Sequence, residues 1–270
     1  MALSAPLKQR FGIGVGCLLL LAKGDAAEIF TDFLYWQPYQ EGLTYALRFH
    51  PEDSLTKVHS KEIEFAYSPG YRVGVATGGA QSVWSGVLAW VRYGNTSSAT
   101  AHFDPETFLG ALWVPPDLGA GALWKAHARW RLQYDVVDAE VERPCLLGRF
   151  FRAEPFMGVR GVRISQHVRC QYDDVAFSKK RELFDLVVRG KNGYEAVGLR
   201  AGAKGIFSFN AHWDIFAQGS GSLVYGSQKV KWHYVDLLQQ NAPNHNAHFR
   251  PNVEGALGGG VALCPLDLCP

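Results

Sequence analysis

The stretch WKAHARWRLQYDV, residues 124–136, decides how this chain is read. Trp124, Ala126, Ala128, Trp130, Leu132, Tyr134 and Val136 fall on one parity, and Lys125, His127, Arg129, Arg131, Gln133 and Asp135 on the other. Successive side chains of a strand point to opposite faces, so this alternation predicts a strand whose two faces meet different surroundings. Soluble strands usually run about 5–6 residues. A tilted strand that crosses a membrane needs roughly 9–11, which this stretch supplies.

The pattern recurs on both sides. Leu43, Tyr45, Leu47 and Phe49 oppose Thr44, Ala46, Arg48 and His50, and Phe207, Phe209, Ala211, Trp213 and Ile215 oppose Ser208, Asn210, His212 and Asp214. Near the end, Val253, Gly255, Leu257, Gly259, Val261 and Leu263 form an apolar face. Short connections at 78–82, 143–149 and 204–205 alternate with long ones at 51–61, 94–121, 167–192 and 229–251. Strict alternation of short and long connections is what an up-and-down meander gives when one rim carries turns and the other carries loops. On that basis eight strands are expected, at 28–50, 62–77, 83–93, 123–142, 150–166, 192–204, 206–228 and 252–263. This count requires a bulge at Glu41-Gly42 inside the first strand and no reversal at 219–222. The helix-like apolar spacing within 177–188 is read as loop structure.

Composition narrows the options further. Charged residues make up 19% of the 270, aromatics 13%, and there are 29 Gly, which is too apolar for a disordered chain and too evenly polar for a helical membrane protein. The longest uncharged apolar run, residues 11–22, falls short of the roughly 20 that a spanning helix needs. With Lys8 and Arg10 before it and small residues at Ala22, Gly24 and Ala26 after it, that run reads as an export signal over residues 1–26. Its removal takes three basic groups and one acidic group from a chain of 27 and 25, so the mature protein is formally neutral, which argues against a nucleic-acid partner. Cys145, Cys170, Cys264 and Cys269 would then occupy an oxidising compartment, where disulfides within the chain or to neighbours are open possibilities. His245 and His248 lack a third ligand, and no nucleophile elbow, phosphate loop or paired catalytic cysteine and histidine occurs, so no catalytic, metal or cofactor site is expected.

Specific strings carry a resemblance. DFLYW at 32–36, EGLTYA at 41–46 and PGYRVGV at 69–75 are similar to the opening of the Legionella-type major outer membrane protein family. Trp124-Lys125 with YDVVDAE at 134–140, EPFMGVRG at 154–161, GLRAG at 198–202, SLVYG at 222–226 and RPNVE at 250–254 continue it in the family's order. The resemblance implies an antiparallel, up-and-down transmembrane β-barrel spanning 27–263. It implies a pore in the outer membrane that contacts lipid, is inserted by the barrel assembly machinery and passes small hydrophilic solutes, with no cofactor. The residues after 263, CPLDLCP, depart from the family's pattern of further strands ending on an aromatic, and are expected to be a non-family tail in place of the closing strands.

If the apolar parity faces lipid, the opposite parity lines the pore. That places Arg72, Arg92, Lys125, Arg129, Arg131, Arg160 and Arg200 inward against Asp135, Glu154, Asp214 and Glu254, a net positive lining expected to favour anions weakly. Two other readings remain: a soluble secreted barrel or sandwich that turns the apolar face inward, and an adhesin acting through its long loops. The leader gives the first prediction. Amino-terminal sequencing of the exported protein should find residues 1 to about 26 absent, and retention of Met1 would remove the case for export.

Overall fold

The computed structural model describes residues 22–24, 27–50, 58–78, 83–114, 122–176, 183–209, 213–235 and 244–261. These residues form strands and no helix. Eight strands make one antiparallel meander in which each pairs with the next in chain order: β2 (Ala27–Trp36), β5 (Ser68–Thr77), β6 (Ser85–His102), β8 (Lys125–Glu142), β10 (Phe151–Ala176), β11 (Leu183–Ser208), β12 (Trp213–Val235) and β13 (Asn244–Val261). β1 (Ala22–Gly24) adds to the β2 edge and β9 (Cys145–Leu146) pairs with the start of β10. β3 (Thr44–Phe49), β4 (Val58–Glu62) and β7 (Phe108–Ala111) form a separate sheet in the order β4-β3-β7. Among the described residues β13 pairs only with β12, so the large sheet curls without closing.

The meander and its eight strands match the sequence expectation, and residues 219–222 run straight through β12. Three expectations fail. Residues 28–50 are not one strand with a bulge. The chain leaves the wall at Trp36, turns where Gly42 holds φ at 82°, and enters the small sheet as β3. Leu43, Tyr45 and Ala46 are thereby buried instead of lying on the sheet edge. The turn expected at 204–205 is absent, because β11 and β12 stay paired to Ser208↔Asp214 and the chain reverses beyond Ser208. Two of the long connections, 167–192 and 229–251, are largely strand: β10 and β11 run 26 residues each and β12 runs 23. Residues 183–188, expected to be loop, begin β11, while 177–182 lie outside the described residues. Most of the export signal, Cys17, Cys264, Cys269 and the tail 264–270 also lie outside them. Cys145 and Cys170 are free thiols, and burial pushes that of Cys170 up to about 12.

The small sheet sits against one face of the meander and builds the main core there. Leu43, Tyr45, Ile63 and Leu109 pack with Ala126, Ala128, Trp130, Leu132, Cys170, Tyr172 and Val188. Phe65 meets Trp130 edge-on at 4.7 Å. The inserted segments are also held by hydrogen bonds. The Tyr172 hydroxyl donates to the Tyr45 carbonyl at 2.7 Å and accepts from the Trp113 amide at 3.1 Å. The Tyr93 hydroxyl donates to the Trp36 carbonyl at 2.9 Å. Amides run outward as a ladder: Gln228 Nε2 donates to Asn192 at 3.0 Å, Asn192 Nδ2 to Gln166 at 3.0 Å, and Gln166 Nε2 to Gln40 at 2.8 Å.

Close strand approach depends on glycine at Gly158 and Gly198, where a Cβ would overlap the carbonyl oxygens of Ala139 and Leu223. Gly158→Ala should therefore destabilise the folded protein by roughly 1–3 kcal/mol. Trp130 is fully buried, so Trp130→Ala should cost about 3–5 kcal/mol, while Trp130→Phe, which deletes an indole N–H that has no partner, should cost far less. Thermal melts of the purified variants check both. Equal losses for the Ala and Phe variants would contradict the packing described.

Candidate functional site: the inward charged cluster

Side chains on one face of the meander converge across several strands. Arg160 on β10 reaches Glu254 on β13, three strands away, so this face is the concave one. Concavity and burial fix the phase of every strand. On β8 the inward residues are Ala126, Ala128, Trp130, Leu132, Tyr134 and Val136, followed by Asp138 and Glu140. The outward ones are Lys125, His127, Arg129, Arg131, Gln133 and Asp135, followed by Val137, Ala139 and Val141. Polarity thus changes faces midway along the strand. No bulge causes the change, because β8 stays in unbroken register with β6 and β10 from Lys125 to Glu142. On β10, Arg160 points inward and Arg163 outward. On β11 Glu195 is outward and Arg200 inward.

Each expected pore-lining residue can now be placed. Arg72 lies on the concave face, 3.5 Å from Asp32. Glu154 lies there too, 2.8 Å from Arg152 and 3.7 Å from Lys204. Arg160, Arg200 and Glu254 meet at its centre. Arg92, Arg129, Arg131 and Asp135 project from the convex face, as does Lys125 by parity, and this corrects the expectation that they line an interior. The reason is the inserted sheet: it takes the apolar parity of β8 as its packing partner and leaves the basic parity outside. Asp214 pairs through its backbone with Gly260, and its side chain lies outside the described residues.

Sequence reasoning missed Asp138 and Glu140, the acids that complete the cluster. The signal was present in DVVDAEVE at 135–142, where two adjacent valines shift the charged positions from odd to even. Asp138 receives a two-pronged contact from Arg160, Nε to Oδ1 at 2.7 Å and Nη2 to Oδ2 at 2.8 Å. Arg160 also bonds both carboxylate oxygens of Glu254, one of them at 3.0 Å. Arg200 donates to Glu140, to Asp138 at 3.3 Å, to Glu254 at 3.1 Å and to the Ser220 hydroxyl at 3.0 Å, and lies over the Phe156 ring. Asp138, Glu140, Arg160 and Arg200 are all at least nine-tenths buried. Such charges persist only when paired and hydrogen-bonded, and planar guanidinium groups suit a cluster with several carboxylates better than ammonium groups do. Such an arrangement fixes strand spacing and presents charge inward. It contains no nucleophile and base pair, and among the described residues no three metal-ligating side chains are grouped.

At the level of this cluster the convex face is apolar. Met157, Val159, Val197, Leu199 and Leu223 are exposed there, Leu199 by 72%. No characterised protein and no solved structure matches the chain. Residues 24–262, however, match the family described as Legionella pneumophila major outer membrane protein precursor. A match over that much of the chain, with all-β antiparallel architecture beneath it, makes this protein a member of the Legionella major outer membrane protein family.

Proposed function

We propose that the chain is a channel-forming transmembrane β-barrel of the outer membrane, exported with its leader and passing small hydrophilic solutes by passive diffusion. One observation carries this reading. At the same height along the wall, the outward side chains are apolar and the inward ones are charged. A soluble sandwich or carrier would reverse that arrangement, because its apolar side chains must leave water. The outward apolar belt runs from Phe151 to Gly161 on β10 and from Val197 to Phe207 on β11, 11 residues on each strand, in keeping with the roughly 9–11 of a membrane strand. Exposed aromatics edge it, with Tyr71, Trp90 and Tyr225 above and Trp84, Phe150, Phe209 and Trp213 below, as at membrane interfaces.

The inserted three-stranded sheet occupies the outer half of the concave face, so the passage is narrow and the charged half forms its inner section. Along that section Glu28, Asp32, Asp138, Glu140, Glu142, Glu154 and Glu254 outnumber Arg72, Arg152, Arg160, Arg200 and Lys204. With Arg92, Arg129 and Arg131 outside, the anion preference expected from sequence loses its basis, and the lining favours cations weakly. The protein has no catalytic role in this reading, and its partners are lipid, the assembly machinery and the solutes.

Two experiments follow. Val159→Arg and Leu199→Arg should block assembly, each costing about 2–4 kcal/mol near the midplane, whereas Gln133→Arg should be tolerated. Heat-modifiable gel migration reads the outcome, and equal tolerance of all three would end the lipid-facing assignment. In planar bilayers under a salt gradient, the reversal potential should indicate cation preference, reduced in a Glu142→Gln/Glu154→Gln variant. Anion preference would overturn the assignment of charge, and absence of conductance would overturn the channel.

A further inference from the structure

Above the apolar belt the convex face carries like charges side by side. Arg129 is directly opposite Arg169, and Arg169 directly opposite Arg189. In the adjacent row Arg131 faces His167, His167 faces Lys191, and Lys191 faces Lys231. All of these side chains are exposed. Like charges in directly opposite cross-strand positions are destabilising, and ordinary sheets avoid them. Among the described residues no carboxylate lies within 4.0 Å of Arg129, Arg131, Arg169, Arg189 or Lys191. The acids of this face are used elsewhere: Asp135 stands 3.9 Å from Arg92 and Glu195 3.4 Å from Arg163, both in a lower row. Above the rows, Asp173 stands directly opposite Lys125 and accepts from Gln171 Nε2, and Asp185 accepts from the Asp174 amide. Partial desolvation first, and then the charges of Lys191 and Arg131, hold His167 below the usual imidazole range.

The position of these rows identifies what neutralises them. They lie on the side of the long hairpins, the outward side of an outer membrane barrel, and away from the short turns. Arg131 is six residues above Val137, the uppermost outward apolar position of β8. At about 3.3 Å per residue and a tilt near 40°, that is roughly 15 Å above the belt, beyond acyl chains and within a headgroup layer. Between belt and rows lies an open depression of about 420 Å³ lined by Trp90, Arg92, Gln133, Asp135, Arg163 and Ser165. Trp90 beside the ion-paired Arg92 and Arg163, with the rows of Arg131 and Arg129 above them, suits a phosphorylated sugar, since guanidinium groups take phosphate oxygens two at a time.

We infer that the two basic rows form a docking surface for the anionic headgroup of a phosphorylated glycolipid in the outer leaflet. The inference rests on the outer membrane barrel reading above. The phosphates of neighbouring lipids supply the counter-charge that these rows lack among the described residues, so lipid is a component of the stable wall and not only its solvent.

The test uses the full chain, folded in detergent micelles, and a purified deep-rough lipopolysaccharide as probe, with the same glycolipid after dephosphorylation and heparin as comparisons. Binding should be saturable and should weaken steeply as salt rises from about 0.05 to 0.5 M. It should fall roughly tenfold to a hundredfold in an Arg129→Gln/Arg169→Gln/Arg189→Gln variant. The corresponding Arg→Lys variant should retain most of it, and Arg149→Gln on the opposite rim should leave it unchanged. Undiminished binding by the triple Gln variant, salt-independent binding by the parent, or equal binding of the dephosphorylated glycolipid overturns the proposal. Tighter binding of heparin than of the glycolipid overturns the assignment of the partner to lipid. Heat-modifiable migration of the same samples reports the barrel separately, so an intact barrel without glycolipid binding rejects this inference alone. If the triple Gln variant does not assemble, the salt and dephosphorylation measurements on the parent still decide.

Discussion

A strand offers its neighbours two faces and can alternate in only one phase, so a wall whose two ends meet different surroundings must exchange polarity between faces partway along. In this protein the exchange occurs at one height, near Val136 on β8 and Val162 on β10, which are directly opposite in register. Beyond that level the inward face of β8 is apolar and packed under the inserted sheet, while the outward face is basic and exposed. Below it the inward face is ionic and the outward face apolar. The same crossover recurs on β6, where Trp90 precedes Arg92, and on β12, where Tyr225 precedes Ser227 and Lys229. Because the strands stay in register, these local exchanges line up as a single boundary around the wall.

Each half has its own source of order. In the outer half, apolar burial holds the small sheet to β8 and β10, and the Gln228–Asn192–Gln166–Gln40 ladder satisfies polar groups that packing would otherwise strand. In the inner half, order comes from two guanidinium groups shared among Asp138, Glu140 and Glu254. Removing charges from water is costly, and the attraction offsets that cost only where geometry and extra hydrogen bonds are good. Deleting one partner would leave the others buried and uncompensated, which makes the cluster a stronger constraint on strand arrangement than its net contribution to stability suggests. Glycines at 158 and 198 leave room for the close strand approach beside it.

In the channel proposed above, the inserted sheet would narrow the outer section and the charged residues would line the inner one. This leaves the basic parity of the outer strands for the proposed headgroup contact.

The sequence by itself determined the eight-strand antiparallel meander and the family, because period-two alternation and short ordered strings are local properties. It also placed Arg72, Glu154, Arg160, Arg200 and Glu254 on one parity. It did not show the inserted three-stranded sheet, which depends on contacts between distant segments. It could not determine which parity of residues 124–136 faces inward. Trp130 and Leu132 suit lipid and a protein core equally well, since both environments accept apolar side chains. Only the tertiary structure decided this, by bringing Leu43, Tyr45, Phe65 and Leu109 from distant segments onto that face. The shift of charge from odd to even positions at Val136-Val137 was visible in the sequence. Its meaning required the unbroken register of three neighbouring strands, which no single strand can specify.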